Sequence, residues 1–170
     1  MTITLTKKDR LILINQYRIL AELNKGEESR YLELIDILEC GYEVFYSMVD
    51  EWISEDMPES EGRFVLEVLN LYRAIEDVKR SSRDLQLVSH HLSIFPGFDG
   101  NNESRYLGFC RFLLEKQGKF QEQEQYLAQN DGMNSHMPMV GKYRRMLSAA
   151  GDISNVRRLS PEEVIAILDA

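Results

Sequence analysis

Few residues in this chain have types and spacing that suit chemistry. There are three histidines. His90 and His91 are adjacent, so on a helix they point about 100° apart and cannot grip one metal as an i, i+4 pair would. They are read as a surface or helix-end pair. His136 stands in a polar stretch, "NSHMPM", where sequence spacing fixes no catalytic partner for it. The run "DGNNE", Asp99–Glu103, is rich in side-chain oxygens but lacks the twelve-residue spacing and closing glutamate of a calcium loop. Helix N-capping by Asp99, Asn101 or Asn102, with Gly97 and Gly100 at turn positions, is the preferred reading. Cys40 and Cys110 form no CxxC pair and lie in apolar helical patterns, so both are expected to be buried free thiols. The chain has no phosphate-binding loop, dinucleotide fingerprint, HExxH or GxSxG. No catalytic residue, metal ligand or cofactor is assigned. One pocket is a candidate, formed where the Gly-Phe-Asp loop meets the Asn134–Pro138 loop and lined by Asp99, Asn101, Arg105 and His136.

The elements that must carry these residues read as helices. The 170 residues are 44% hydrophobic and 28% charged, ordinary for a globular protein, and no apolar run approaches the roughly 20 residues of a membrane span. "MTITLTKKDR" lacks an apolar signal core, so the expected location is the cytoplasm. The net charge is −8. Residues 21–62 hold thirteen acids against Lys25 and Arg30, a local −11. Nucleic-acid binding needs a dominant basic surface, which four arginines (Arg144, Arg145, Arg157 and Arg158) do not supply. The acidic block is read as a solvated face, or as a surface for a basic partner such as a second copy.

A first helix is expected from about Lys7 to Leu23, capped by Thr6 with Asp9 three residues on. It is apolar on more than one face, which suggests burial on two sides. Tyr31, Ile35, Leu38, Tyr42, Phe45, Val49 and Trp52 follow a 4-3-4-3-4-3 spacing, a heptad seam about 22 residues and roughly 33 Å long. Phe64, Val68, Leu71, Ile75 and Val78 form a second seam after the polar turn "SEDMPESEG". Two such helices read as an antiparallel hairpin, with Gly41 inside the first marking a kink or a close approach. That hairpin needs further protein surface, and Tyr42, Phe45, Val49, Trp52, Phe64, Val68 and Leu71 are the candidate self-association seam. Further helices are expected from Asn101 or Asn102 to Gln117, after Pro138 to Gly151, and from the Ser160-Pro161-Glu163 capping box onward.

The pentapeptide Glu-Ser-Arg-Tyr-Leu occurs twice, at Glu28–Leu32 and Glu103–Leu107. Both copies open a helix with a carboxylate near the positive end of its dipole. Shared helix-start chemistry is preferred over an old duplication or a ligand-reading motif, because no fixed repeat period exists.

Taken in order, "RLILINQYRIL", "LECGY", "GFDGNNESRYLGFCRF", "NSHMPMVGKYRRML" and "LSPEEVIAIL" resemble the YfbU family of bacterial proteins from about Lys8 to Ala170. The Gly-Phe-Asp loop before Arg-Tyr-Leu-Gly is its most distinctive element. The resemblance implies an all-α cytoplasmic protein with a helical-hairpin subdomain and a second helical subdomain, and it supplies no catalytic residues. Where the family shows an aromatic-rich stretch, this chain has "SAAGDISNV". The expectation is therefore a single all-helical unit over 1–170. Within it a helical hairpin (27–90) packs with a multi-helix subdomain (1–26 plus 91–170). The function expected is a homo-oligomeric interaction or regulatory module with no membrane association; a small-molecule pocket is the alternative, and nucleic-acid contact through Arg144, Arg145, Arg157 and Arg158 is a third, less favoured reading.

Overall fold

Helix α1 (Lys7–Leu23) begins where its cap residues dictate. The Thr6 hydroxyl accepts from the Asp9 amide, and the Asp9 carboxylate accepts from the Thr6 amide at 2.9 Å. This reciprocal box satisfies two backbone donors that no helical carbonyl can reach. The computed structural model describes residues 3–151 and 159–170. They are all-α: among the described residues the only β feature is one isolated parallel bridge, Phe98 to Asn134. None of the described helices is long and apolar enough to cross a membrane. Arg157, Arg158 and most of "SAAGDISNV" lie outside the described residues.

The chain divides into two compact units, Met1–Asp56 and Met57–Ala170. In the first, α1 packs along α2 (Glu28–Cys40). Ile14, Tyr17 and Ala21, spaced three and four apart, bury one face of α1. Ile14 and Tyr17 join the cluster of Leu34, Ile35, Ile37 and Leu38 from α2. Helix α2 ends at Gly41, in the left-handed region at φ +72°, where the amides of Gly41 and Tyr42 both return to the Ile37 carbonyl. Arg10 Nη1 then donates to the Leu38 carbonyl at 3.0 Å, so α1 satisfies an orphan acceptor of the last turn of α2. A short 3-10 stretch, Glu43–Met48, folds Tyr46 and Val49 onto the same cluster.

This corrects the expected 27–90 hairpin. Gly41 terminates the helix rather than kinking it, so residues 42–52 do not continue the heptad of α2. The partner of α2 is α1, and the second expected arm belongs to the other unit. The second unit, likewise, does not take in residues 1–26.

In that unit α3 (Glu59–Ser82) is the central rod. It is buried on more than a seam, with Val65, Val68, Leu69, Leu71, Tyr72, Ile75 and Val78 all in the core. Around it lie α5 (Ser104–Arg111), α6 (Val140–Ala150) and α7 (Pro161–Asp169), while α4 (Leu85–Ser89) contacts α7. Helix α7 starts with the expected capping box of Ser160 and Glu163, with Pro161 in its first turn. Tyr72, Phe95, Phe98 and Tyr143 pack edge-on or tilted at centroid distances of 4.9–6.0 Å. Such aromatics each contribute a large buried apolar area together with a preferred edge-to-face geometry. The buried charges Glu76 and Lys79 are partnered, whereas the Tyr72 hydroxyl has no hydrogen-bond partner among the described residues. The Glu76 carboxylate receives Lys79 Nζ and the Tyr126 hydroxyl, both at 2.9 Å, and Lys79 also donates to the Ser93 carbonyl. Cys110 is buried and Cys40 is exposed; both are free thiols, which corrects the expectation that both are buried.

Candidate functional site

The Gly-Phe-Asp loop and the loop before α6 do meet. Gly97 has φ +94°, and a Cβ there would lie 1.7 Å from the Met133 carbonyl oxygen, so only glycine lets the strands of chain approach. The Phe98 amide donates to Met133 O at 3.0 Å, and the Ser135 amide donates to Phe98 O at 3.3 Å. The Gly100 amide donates to Asn134 Oδ1 at 3.0 Å.

Two carboxylates hold this junction. Asp99, only 2% exposed, accepts from the Asn101 amide at 3.0 Å and from the Asn102 side chain. The Asn102 hydrogen bond, then those from the backbone, keep its carboxyl below the usual carboxylate range, and His136 acts in the same direction. Glu103 is buried. Its Oε2 accepts from the Asp99 amide at 3.1 Å, and its Oε1 accepts from the amides of Met139 and Val140, both at 2.8 Å. The glutamate that opens α5 in sequence therefore serves as the acceptor for the first turn of α6. Glu28, at the same place in the other pentapeptide, instead pairs with Lys25 at 3.2 Å on the surface. The two copies share a helix start and differ in everything their glutamates touch.

The second loop is conformationally unusual. Asp131, Gly132, Met133 and His136 all have positive φ, between +47° and +67°. Asn130 supports the turn, accepting from the Met133 amide and donating to the Phe95 carbonyl, both at 2.9 Å. Asp131 Oδ2 then lies 3.0 Å from His136 Nε2, and Asn134 Nδ2 lies 3.4 Å from His136 Nδ1. A cleft of about 440 Å³ opens here, lined by His91, Ile94, Pro96, Asp131, Asn134 and His136 among others. Non-glycine residues held at positive φ cost on the order of 1–3 kcal/mol each.

Of the four side chains expected to line a pocket, His136 alone is on this cleft. Asp99 is buried in the loop junction, its carboxylate occupied by neighbouring amides. Asn101 is exposed, with its amide turned to Asp99. The Arg105 guanidinium lies 3.5 Å from Glu61 of α3. Asn134 belongs to the expected loop, whereas Asp131 and His91 were not expected here; the turn-forming run "NDGMNS" was the available signal for Asp131. Both nitrogens of the His136 ring have hydrogen-bonding neighbours, which orient the ring. Among the described residues no cluster of three or more His, Cys, Asp or Glu could hold a metal.

The expected self-association seam is redistributed. Val68 and Leu71 are wholly inside the second unit, and Phe64 packs edge-on to Tyr106 at 5.9 Å. Val49 is buried in the first unit. Tyr42, Phe45 and Trp52 stand on its surface at 53%, 48% and 55% exposure. The Trp52 ring carries the Arg30 guanidinium 3.9 Å from its centroid. Of the four arginines, Arg144 lies over Phe64 and Arg145 donates to the Ala170 carbonyl.

Comparison with known proteins bears on identity. The YfbU domain model matches residues 3–170. The chain belongs to the YfbU family. It is also 43% identical, over 169 residues, to a UPF0304 protein of Methanocaldococcus jannaschii. That alignment covers 98% of this chain and 99% of the relative. The family is uncharacterised and carries no assigned function, so this YfbU protein takes its functional reading from its own surfaces.

Proposed function

We propose that this YfbU protein is a cytoplasmic, non-enzymatic interaction module that self-associates through its first unit and so presents or regulates another protein. One observation carries the reading. Among the described residues fifteen large hydrophobic side chains are exposed, and eleven of them lie in the first unit. Isolated exposed apolar residues are normal, but a concentration of them in one small unit marks a surface meant to be covered. A unit of this size also has few core residues with which to hold itself together. Light scattering or sedimentation velocity at micromolar concentration and moderate salt should give a mass at least twice 19.8 kDa. A clean monomer under those conditions overturns the proposal.

A second reading is favoured by the cleft beside His136. It is open, mixed polar and apolar, and edged by an oriented imidazole, which suits a small ligand with hydrogen-bonding groups. A ligand panel read by thermal shift, repeated on His136→Ala, tests it. The reading requires at least one compound that stabilises the parent protein and not the variant.

A further inference from the structure

Helix α1 has two apolar faces, and α2 covers only one. Ile14, Tyr17 and Ala21 are buried. About 160° around the helix from them, at 100° per residue, lie Ile12, Gln16, Ile19 and Leu23. Ile12, Ile19 and Leu23 are 46%, 60% and 77% exposed. Their 4-3-4 spacing is that of a coiled-coil seam, with Gln16 as its one polar member.

We infer that this stripe is a two-fold interface in which α1 of one copy packs antiparallel on α1 of a second copy. The inference rests on the self-association proposed above and adds the face, the direction and the register. Charge selects the direction. The first turn of α1 is net basic; Arg10 is held by the Leu38 carbonyl of α2, and Lys8 is the cation that flanks the stripe. The far end and the turn after it carry Glu22, Glu27 and Glu28 against Lys25, whose ammonium is already shared by Glu22 at 3.0 Å and Glu28 at 3.2 Å. Antiparallel packing sets the basic end of each helix beside the acidic end of the other, and the helix dipoles oppose favourably. Parallel packing would set Lys8 beside its own copy. The centre of the stripe falls between Gln16 and Ile19, so Ile12 faces Leu23 of the other copy and Gln16 faces Ile19. An isologous contact of this kind closes at two chains, and a polar residue near the centre of a seam fixes its register.

Cysteine pairing in a Cys40→Ser background, which removes the exposed native thiol, tests the geometry. Proteins carrying Ile12→Cys alone and Leu23→Cys alone are oxidised separately and as an equimolar mixture. The expected result is a disulfide-linked dimer in the mixture and little in either protein alone. Linkage of Ile12→Cys to itself would show a parallel seam and overturn the inference. A dimer by light scattering with no cysteine linkage in any sample would place the interface on another face, so the inference fails while self-association stands. A monomer by light scattering removes both. In parallel, Ile19→Glu should weaken self-association by about 10²–10³-fold, since the side chain enters the seam twice. Leu85→Glu, at an exposed site in the second unit, should leave it unchanged. Equal self-association of the Ile19→Glu and parent proteins would also overturn the inference.

Discussion

Replacing Glu103 by alanine should be among the most damaging single changes in the second unit. The side chain is buried, and its two oxygens serve three backbone amides: Asp99 on one side, Met139 and Val140 on the other. Each buried N–H left without an acceptor costs about 1–3 kcal/mol, and neighbouring losses do not add fully, so the total should be about 3–5 kcal/mol. The lost charge also sat at the positive end of α6. For a domain of this size, 1 kcal/mol moves the thermal midpoint by roughly 3–6 °C. Glu103→Ala should therefore unfold about 10–30 °C earlier by circular dichroism, with a matching drop in the urea midpoint. Glu103→Gln keeps an acceptor oxygen but turns an amide N–H towards at least one backbone N–H, so about half the loss is expected. If Glu103→Ala lies within about 1 kcal/mol of the parent, water replaces the carboxylate at no cost and the argument for its role fails.

Gly97→Ala should destabilise by more than about 3 kcal/mol, because its Cβ would fall on the Met133 carbonyl. Gly108→Ala, whose Cβ meets nothing within 4 Å, should be neutral or stabilise by up to about 1 kcal/mol; denaturant titration of both checks the contrast. Native protein should show one fast thiol with a disulfide reagent, Cys40, and a second only on unfolding, since burial pushes the Cys110 thiol up to about 12; two fast equivalents would contradict this. Asp99 titrates lower in the fold than in the unfolded chain, so its contribution is complete above about pH 4 and is lost as the pH falls through the lowered value. The Asp99→Asn protein should accordingly lose less stability between pH 4 and pH 2 than the parent, and parallel acid-unfolding curves would refute that assignment.

What was legible in the sequence was mostly local. Thr6, Ser160 and Gly151 mark helix ends through short-range chemistry, and each does so in the fold. Gly41 shows where local reading failed. A heptad pattern ran through it, yet a glycine after Glu-Cys also suits a left-handed helix stop, and only the packing of α1 against α2 decides between them. The spacing in α3 was read correctly as helical but not as central. A seam and an all-round buried helix share the same spaced residues, and Val65, Leu69 and Tyr72 make the difference. The role of Glu103 was invisible because its partners, Met139 and Val140, are far along the chain and use backbone amides that carry no sequence signal. The cleft shares that difficulty. His91 comes to line the same space as Asp131 and His136 through tertiary structure alone.

The end of α5 has a bearing on how the family can vary in length. After Arg111 the backbone widens into one π turn, Phe112–Lys116, in which the Gln117 amide reaches back five residues to Phe112 O at 3.1 Å. The extra residue lets the consecutive Leu113 and Leu114 both sink into the core, at 2% exposure each. A π turn amounts to a one-residue insertion absorbed by an α-helix. Relatives shorter by one position at this point can therefore keep every downstream element in register, where the same deletion inside α3 would rotate half a core out of place.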